Sequence, residues 1–292
     1  MSQSSRSNRP KSNKTRARDA RTSPQPSTAS PKKPSTPSAI EPAAAEPATD
    51  DTATPEPSPP LPPAAITTNG LAKAYGDAPA LAPIDLRIEH GDRVSLIGHN
   101  GSGKTTLLRM LVGMLEPSEG TATVAEHPIG SREARAAVSY LADQPVFYDD
   151  LTVWEHLEYV ARLHGTHDWE QQAVDLADMV GLSERLDDLP MTFSRGLKQK
   201  AAITIAFVRP FDVMLIDEPF VGLDRTGREA LLELLALAHD DGATLVVATH
   251  ELSSVERSSR LIALSGGELA FDGDPSEADL ARLTEGRSAE SG

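Results

Sequence analysis

The sequence predicts an α/β fold: a mostly parallel core sheet interrupted by an inserted α-helical subdomain. Three observations carry this. From about residue 66, short apolar runs alternate with helical patterns, the order that puts helices on the faces of a parallel sheet. One such run ends in a glycine-rich loop that opens a helix, and another ends in two acids. Between them, residues 152–210 lose the strand signal and show three or four amphipathic helical patterns.

Taken in order, residues 1–65 hold 14 of the 23 prolines and no Phe, Tyr or Trp. Such a segment buries too little apolar surface to offset chain entropy, so it is expected to be a disordered tail. Its first 33 residues carry nine Lys or Arg against Asp19 alone. This is the composition of a solvated spacer or of a basic arm toward anionic partners. With no apolar run, it is not a secretory signal.

The folded part then begins. IDLRIE (84–89) alternates as a half-buried strand does, and RVSLIG (93–98) is a short run ending in glycine. KTTLLRMLVGML (104–115) reads as a helix closed by Pro117 and Gly120. TATVAEHPI and AAVSYLA read as two strands. TVWEHLEYVARLHG and DWEQQAVDLADMVGL read as helices of a subdomain expected over about 138–212. VMLID (213–217), a helix over 226–239, TLVVATH (244–250), RLIALS (260–265) and ELAFDG (268–273) complete the alternation. The domain is expected over 66–275, with a C-terminal tail over 276–292.

Bulk properties narrow the function. Residues 66–292 carry 19 Lys or Arg against 37 Asp or Glu, a formal −18. A domain that acidic is a poor partner for nucleic acid, and none is expected. The chain has no cysteine, which removes disulfides, thiolate metal sites and cysteine nucleophiles. No run approaches the roughly 18–20 apolar residues that a spanning helix needs.

GHNGSGKTT (98–106) fits G-x-x-x-x-G-K-[ST], and its context fits as well, since it follows a strand and opens a helix. Gly98, Gly101 and Gly103 let the backbone turn tightly, so that its N–H groups from His99 to Thr106 (His99, Asn100, Ser102 and Thr106 included) surround a polyphosphate. The helix N-terminus adds its dipole. Lys104 is placed to reach terminal phosphates, and the Thr105 hydroxyl to ligate Mg2+. VMLIDEPF (213–220) delivers two acids at the carboxyl end of a strand, where ligands sit in open α/β sheets. Asp217 suits holding Mg2+ through water, and Glu218 suits polarising an attacking water.

With these motifs the chain resembles the ATP-binding cassette ATPases, the nucleotide-binding subunits of ABC transporters, over about residues 66–275. The resemblance implies a P-loop ATPase of that type with an N-terminal antiparallel β part, ATP and Mg2+ as ligands, and hydrolysis of ATP. TFSRGLKQK (192–200) looks like the family's signature segment, keeping Ser194 and Gly196 but carrying Arg195 and Leu197 where Gly and Gln are usual. That variant resembles subunits of exporters with separately encoded permeases. VGLDRTG resembles the D-loop, with Asp224 at a dimer seam. His250 resembles the switch histidine, and Tyr75 the aromatic that stacks on adenine.

The resemblance further implies a homodimer or cassette heterodimer closing around two ATP, with Ser194 and Gly196 serving the opposite site. A transmembrane permease would dock on the helical subdomain, giving a cytoplasmic protein peripheral to the membrane. A soluble or regulatory ATPase acting on a protein or ribosomal partner is the alternative. One position is ambiguous. In YLADQPVFYDDLTV (140–153) the family's glutamine aligns by count with Asp143, while the amide itself is Gln144. Neighbouring strand residues face opposite sides, so both cannot point at the metal from an extended strand, and the count favours Asp143 as the Mg2+ contact.

Overall fold

The computed structural model describes residues 63–250, 255, 257–280 and 283. Almost all of the tail expected over 1–65, and the chain beyond Leu283, lie outside these. Two sheets share the described part. The larger has six strands in the order β10-β9-β3-β8-β7-β6: Glu268–Gly273, Arg260–Ser265, Arg93–Ile97, Thr244–Ala248, Val213–Asp217 and Val138–Leu141. Its pairs are parallel from β9 to β6, and only β10 runs antiparallel. The smaller sheet is antiparallel, in the order β2-β1-β4-β5: Ala78–Ile88, Ile66–Tyr75, Glu119–Val124 and His127–Pro128.

The central strands are covered on both faces, which is why they read as unbroken apolar runs. Along β7, Met214 and Ile216 join the cluster built with helices α3 (Val153–His164), α4 (Trp169–Val180), α5 (Arg195–Phe207) and α6 (Arg225–Asp240). Val213 and Leu215 join the opposite cluster, with α1 (Lys104–Leu111) and the small sheet. β8 divides the same way, Leu245 and Val247 against Val246 and Ala248. Side chains alternate along a strand, so Asp217 falls on the face of Val213 and Leu215, beneath α1.

Register aligns the strand ends at one edge. Leu96 is level with Ala248, Asp217 with Ala248, and Leu141 with Ile216. The segments leaving β3, β8, β7 and β6 therefore emerge side by side, in that order, over the carboxyl end of the sheet.

Four expectations need correction. The helix predicted to Leu115 stops at Leu111. Gly113 takes a left-handed φ of 73°, and a Cβ there would lie 2.7 Å from the Cα of Gly130. The stop is thus a close backbone approach at glycine, and Pro117 plays no part in it. TATVAEHPI is not one strand but the hairpin β4–β5, turning on Ala125 and Glu126 at φ 48° and 67°. Neither is the glycine or asparagine that such a turn usually advertises.

AAVSYLA begins as helix. Ser131 caps α2 (Arg132–Ala137) by accepting from the Ala134 N–H at 3.1 Å, and only then does β6 start. Since β6 pairs with β7 in the large sheet, the helical part begins after Leu141 rather than at 138.

The helical part is held by local signals. Thr152 and Glu155 form a reciprocal capping box at the start of α3. Trp154 and Trp169 pack at 5.0 Å between ring centroids, joining α3 to α4. α5 buries Gln199, Lys200, Ile203 and Thr204 together, so it is enclosed on more than one side and its sequence lacks a single apolar stripe.

Candidate functional site

A cavity of about 370 Å3 lies where the strand ends meet α1. It is lined by residues 100–106 together with Ala80, Asp143, Asp217 and Glu218. The loop from Gly98 to Gly103 wraps it. Gly98 has φ 152°, and a Cβ there would fall 2.3 Å from the Leu264 carbonyl oxygen, so no other residue fits against β9. His99 ties the loop down: its Nδ1 lies 2.8 Å from the Asn100 carbonyl, and its Nε2 accepts from the Gly266 N–H at 3.4 Å. The Gly267 N–H also donates to the Ser102 carbonyl at 3.2 Å. The turn between β9 and β10 thus braces the loop.

Lys104 is buried, and its Nζ donates to the Gly98 carbonyl at 2.7 Å while lying 3.7 Å from Glu218 Oε1. The ammonium spans the loop's mouth, between carbonyl and carboxylate, where an entering anion meets it. Asp217 is buried, and burial pushes its carboxyl up from the ordinary value. Glu218 and Asp143 push the same way, against the Thr105 hydroxyl and Lys104. Tyr140, below them, is pushed up to about 12, first by burial and then by Asp217. Three acids and one lysine therefore share the site.

Two buried polar atoms here have no hydrogen-bond partner among the described residues, Asp217 Oδ1 and Ser102 Oγ. An orphaned carboxylate oxygen in a cavity that also presents the Thr105 hydroxyl and Asp143 is the donor set of a hard divalent cation that takes its remaining oxygens from phosphate and water. The residues present fit Mg2+ with a nucleotide. Among the described residues no three His, Asp or Glu side chains make a metal cluster on their own.

Glu218 has φ 47°, a left-handed conformation that costs a non-glycine residue about 1–2 kcal/mol. It is fixed by an N–H donated to the Ala248 carbonyl at 2.8 Å. The turn sends its carboxylate toward Lys104 on one side and His250 on the other, where His250 Nδ1 meets Oε2 at 2.7 Å. Strain stored at one carboxylate between a lysine and a histidine marks a group whose direction matters.

The remaining predicted residues divide. Asp143 lines the cavity, whereas Gln144 is exposed and does not. β6 ends at Leu141, so strand parity does not reach either residue; a bend at 143 and 144 does the sorting. Ser194 caps α5, its Oγ accepting from the Leu197 N–H at 3.4 Å. Gly196 presses on Gly222, where a Cβ would meet the carbonyl oxygen at 2.5 Å. Neither lines the cavity. Asp224 caps α6 through the Gly227 N–H and takes the buried Lys200 ammonium, both at 2.8 Å. Tyr75 is 57% exposed at the end of β1, beneath Lys73, and it too is outside the lining.

The sequence did not reveal that Arg195 reaches Asp143, with Nη2 2.9 Å from Oδ1. It also did not show His156 holding the loop after Asp143: the buried ring accepts from the Tyr148 N–H at 2.9 Å. Beside that anchor, Val146, Tyr148 and Tyr159 are exposed.

Comparison with known proteins agrees with the fold. The family profile described as ABC transporter matches residues 81–221. The chain is 35% identical over 220 residues to the ABC-type transporter ATP-binding protein EcsA of Bacillus subtilis (strain 168), covering 73% of this chain and 88% of EcsA. Other curated relatives are longer, and the matched stretch is 57% of one and 40% of another.

Among solved structures, one described as the ATP binding subunit of an ABC transporter superposes with a TM-score of 0.70 at 30% identity. It covers 75% of this chain and 97% of its own. A dimeric bacterial ABC transporter cassette superposes with a TM-score of 0.66 at 26% identity, covering 72% and 98%.

Proposed function

Because this chain belongs to the ABC transporter ATP-binding family, we propose that it hydrolyses ATP as one half of a cassette dimer and drives a partner membrane permease, in the export direction. The observation that supports this most is the convergence, over one sheet edge, of Lys104, Thr105, Asp217, a strained Glu218 and His250. Loop N–H groups and Lys104 bind the phosphates; Thr105, Asp217 and Asp143 would hold Mg2+. When bound, the ion neutralises charge on the phosphate oxygens.

Glu218 takes the proton from the attacking water, and His250 keeps its carboxylate aimed. Burying Asp217 with Oδ1 unpaired keeps an acceptor ready for the metal. Ser194 and Gly196 lie outside their own cavity on an exposed cap, so they are assigned to the ATP on the opposite chain. There the N-terminus of α5 supplies N–H groups to phosphate. Asp224 sits beside them, linked through Lys200.

No helix among the described residues is long and apolar enough to cross a membrane, and the membrane passage is placed in the permease. Its docking surface is assigned to Val146 and Tyr148, on the loop that follows directly from Asp143, and to Tyr159 on α3, which packs against Tyr148. Arg195 and Leu197, in the signature segment, support export by separately encoded permeases, as the resemblance implies.

The test is ATP turnover by the purified chain with and without Mg2+. Glu218→Gln is expected to keep nucleotide binding and lose about 100-fold or more in kcat, the range of a general base. Turnover within threefold of wild type would remove Glu218 from that role.

A further inference from the structure

We propose that Arg195 is a positioning residue for the metal side of the nucleotide site, holding Asp143 in competition with Mg2+. This rests on the nucleotide reading above. Asp143 belongs to the cavity and lies close enough to Asp217 to push that carboxyl up. Lys104, the only basic residue lining the cavity among the described residues, is already shared between the Gly98 carbonyl and Glu218. The cation that neutralises Asp143 therefore comes from outside, from the first residue of α5, 52 positions along the chain.

A guanidinium and a divalent cation repel each other, and both seek the same carboxylate. Mg2+ bound through Asp143 thus weakens the contact to Arg195, and Arg195 weakens the hold on Mg2+, by the reciprocity of linked binding. Arg195 stands between Ser194 and Gly196. Loading of a chain's own cavity is thereby linked to the freedom of the segment it offers to a second chain. The pair is half open to solvent, with side chains 59% and 33% exposed, so the competition is modest.

The experiment measures mant-ADP affinity of the full chain with MgCl2 and with EDTA, by fluorescence. The ratio of the two dissociation constants reports the gain from Mg2+. Arg195→Gln is expected to raise that ratio about twofold to fivefold, the scale of an exposed ion pair, and Arg195→Lys to stay near wild type. In an Asp143→Asn background, Arg195→Gln should change nothing, because the coupling has lost its partner.

A merely structural pair would lower thermal stability and leave the ratio at its wild-type value; that result overturns the proposal while leaving nucleotide binding intact. An equal rise in the Asp143→Asn background overturns it as well. Wild-type protein that binds no mant-ADP in either condition would overturn the nucleotide reading, and this proposal with it.

Discussion

Asp217 and Glu218 are neighbours in sequence but are held by different means. Asp217 is buried by the sheet with one oxygen unpaired; Glu218 is turned out of the strand by a left-handed backbone. The carboxyl of Asp217 is raised, so the folded chain binds that proton more tightly than the unfolded chain does. Stability therefore falls as pH climbs from the ordinary carboxylate value through the raised one, and the loss is complete above that raised value. Asp217→Asn should recover it. In the absence of nucleotide and Mg2+, the variant is expected to be more stable by about 0.5–2 kcal/mol in urea denaturation at pH 7, as is common where a site residue is held for function. At pH 3 the gain should vanish. An Asn variant less stable at pH 7 would mean that the buried charge is compensated.

That two acids would sit at a ligand-facing strand end was legible from the apolar run before them. The pairing of Asp143 with Arg195 was not. Two polar side chains meeting across 52 residues leave no period in the sequence, and each shows in isolation only as a departure from the family's pattern.

At the scale of elements, periodicity located most strands and helices, while the ends followed particular contacts. The end of α1 lies at Gly113 because two backbones nearly touch there. The β4–β5 hairpin hides in the text because Ala125 and Glu126 make a left-handed turn without glycine. The start of α6 was legible to within a residue, and its cap shows why. Asp224 satisfies the Gly227 N–H and neutralises the buried Lys200 on α5, which holds its carboxyl below the usual range.

That contribution is present above the ordinary carboxylate value and is lost as pH falls through the depressed one. Since Asp224 is 61% exposed, most of its worth is the cap and the company it gives Lys200. Asp224→Ala should destabilise the chain by about 1–3 kcal/mol in chemical denaturation, combining a lost cap with a stranded buried cation. Restoring the cap alone with Asp224→Ser should recover about half. Full recovery by serine would show that the Lys200 contact contributes nothing.

For the whole molecule, the parallel register of β3, β8, β7 and β6 brings four chain segments to one edge. This sets the loop, Glu218 and Asp143 around a single cavity, with His250 hydrogen-bonded to Glu218 beside it. The same fold keeps Ser194, Gly196 and Tyr75 out of it. The motifs were legible singly, but not their division between the cavity and the surface, which depends on how α5 packs and where β1 ends. Under the proposed function, a cavity with a glycine-rich loop and acids, and a second set of phosphate-suited groups facing outward, would form half of a two-chain site.

The most direct measurement is sedimentation of the Glu218→Gln chain with Mg2+ and saturating ATP, compared with ADP. ATP should bring the 31.1 kDa chain to twice that mass, with ADP leaving it monomeric. Adding Ser194→Arg, which blocks the face offered to the second nucleotide, should return the ATP-bound protein to a monomer. A Glu218→Gln protein that binds ATP fully yet sediments as a monomer would contradict the two-chain site.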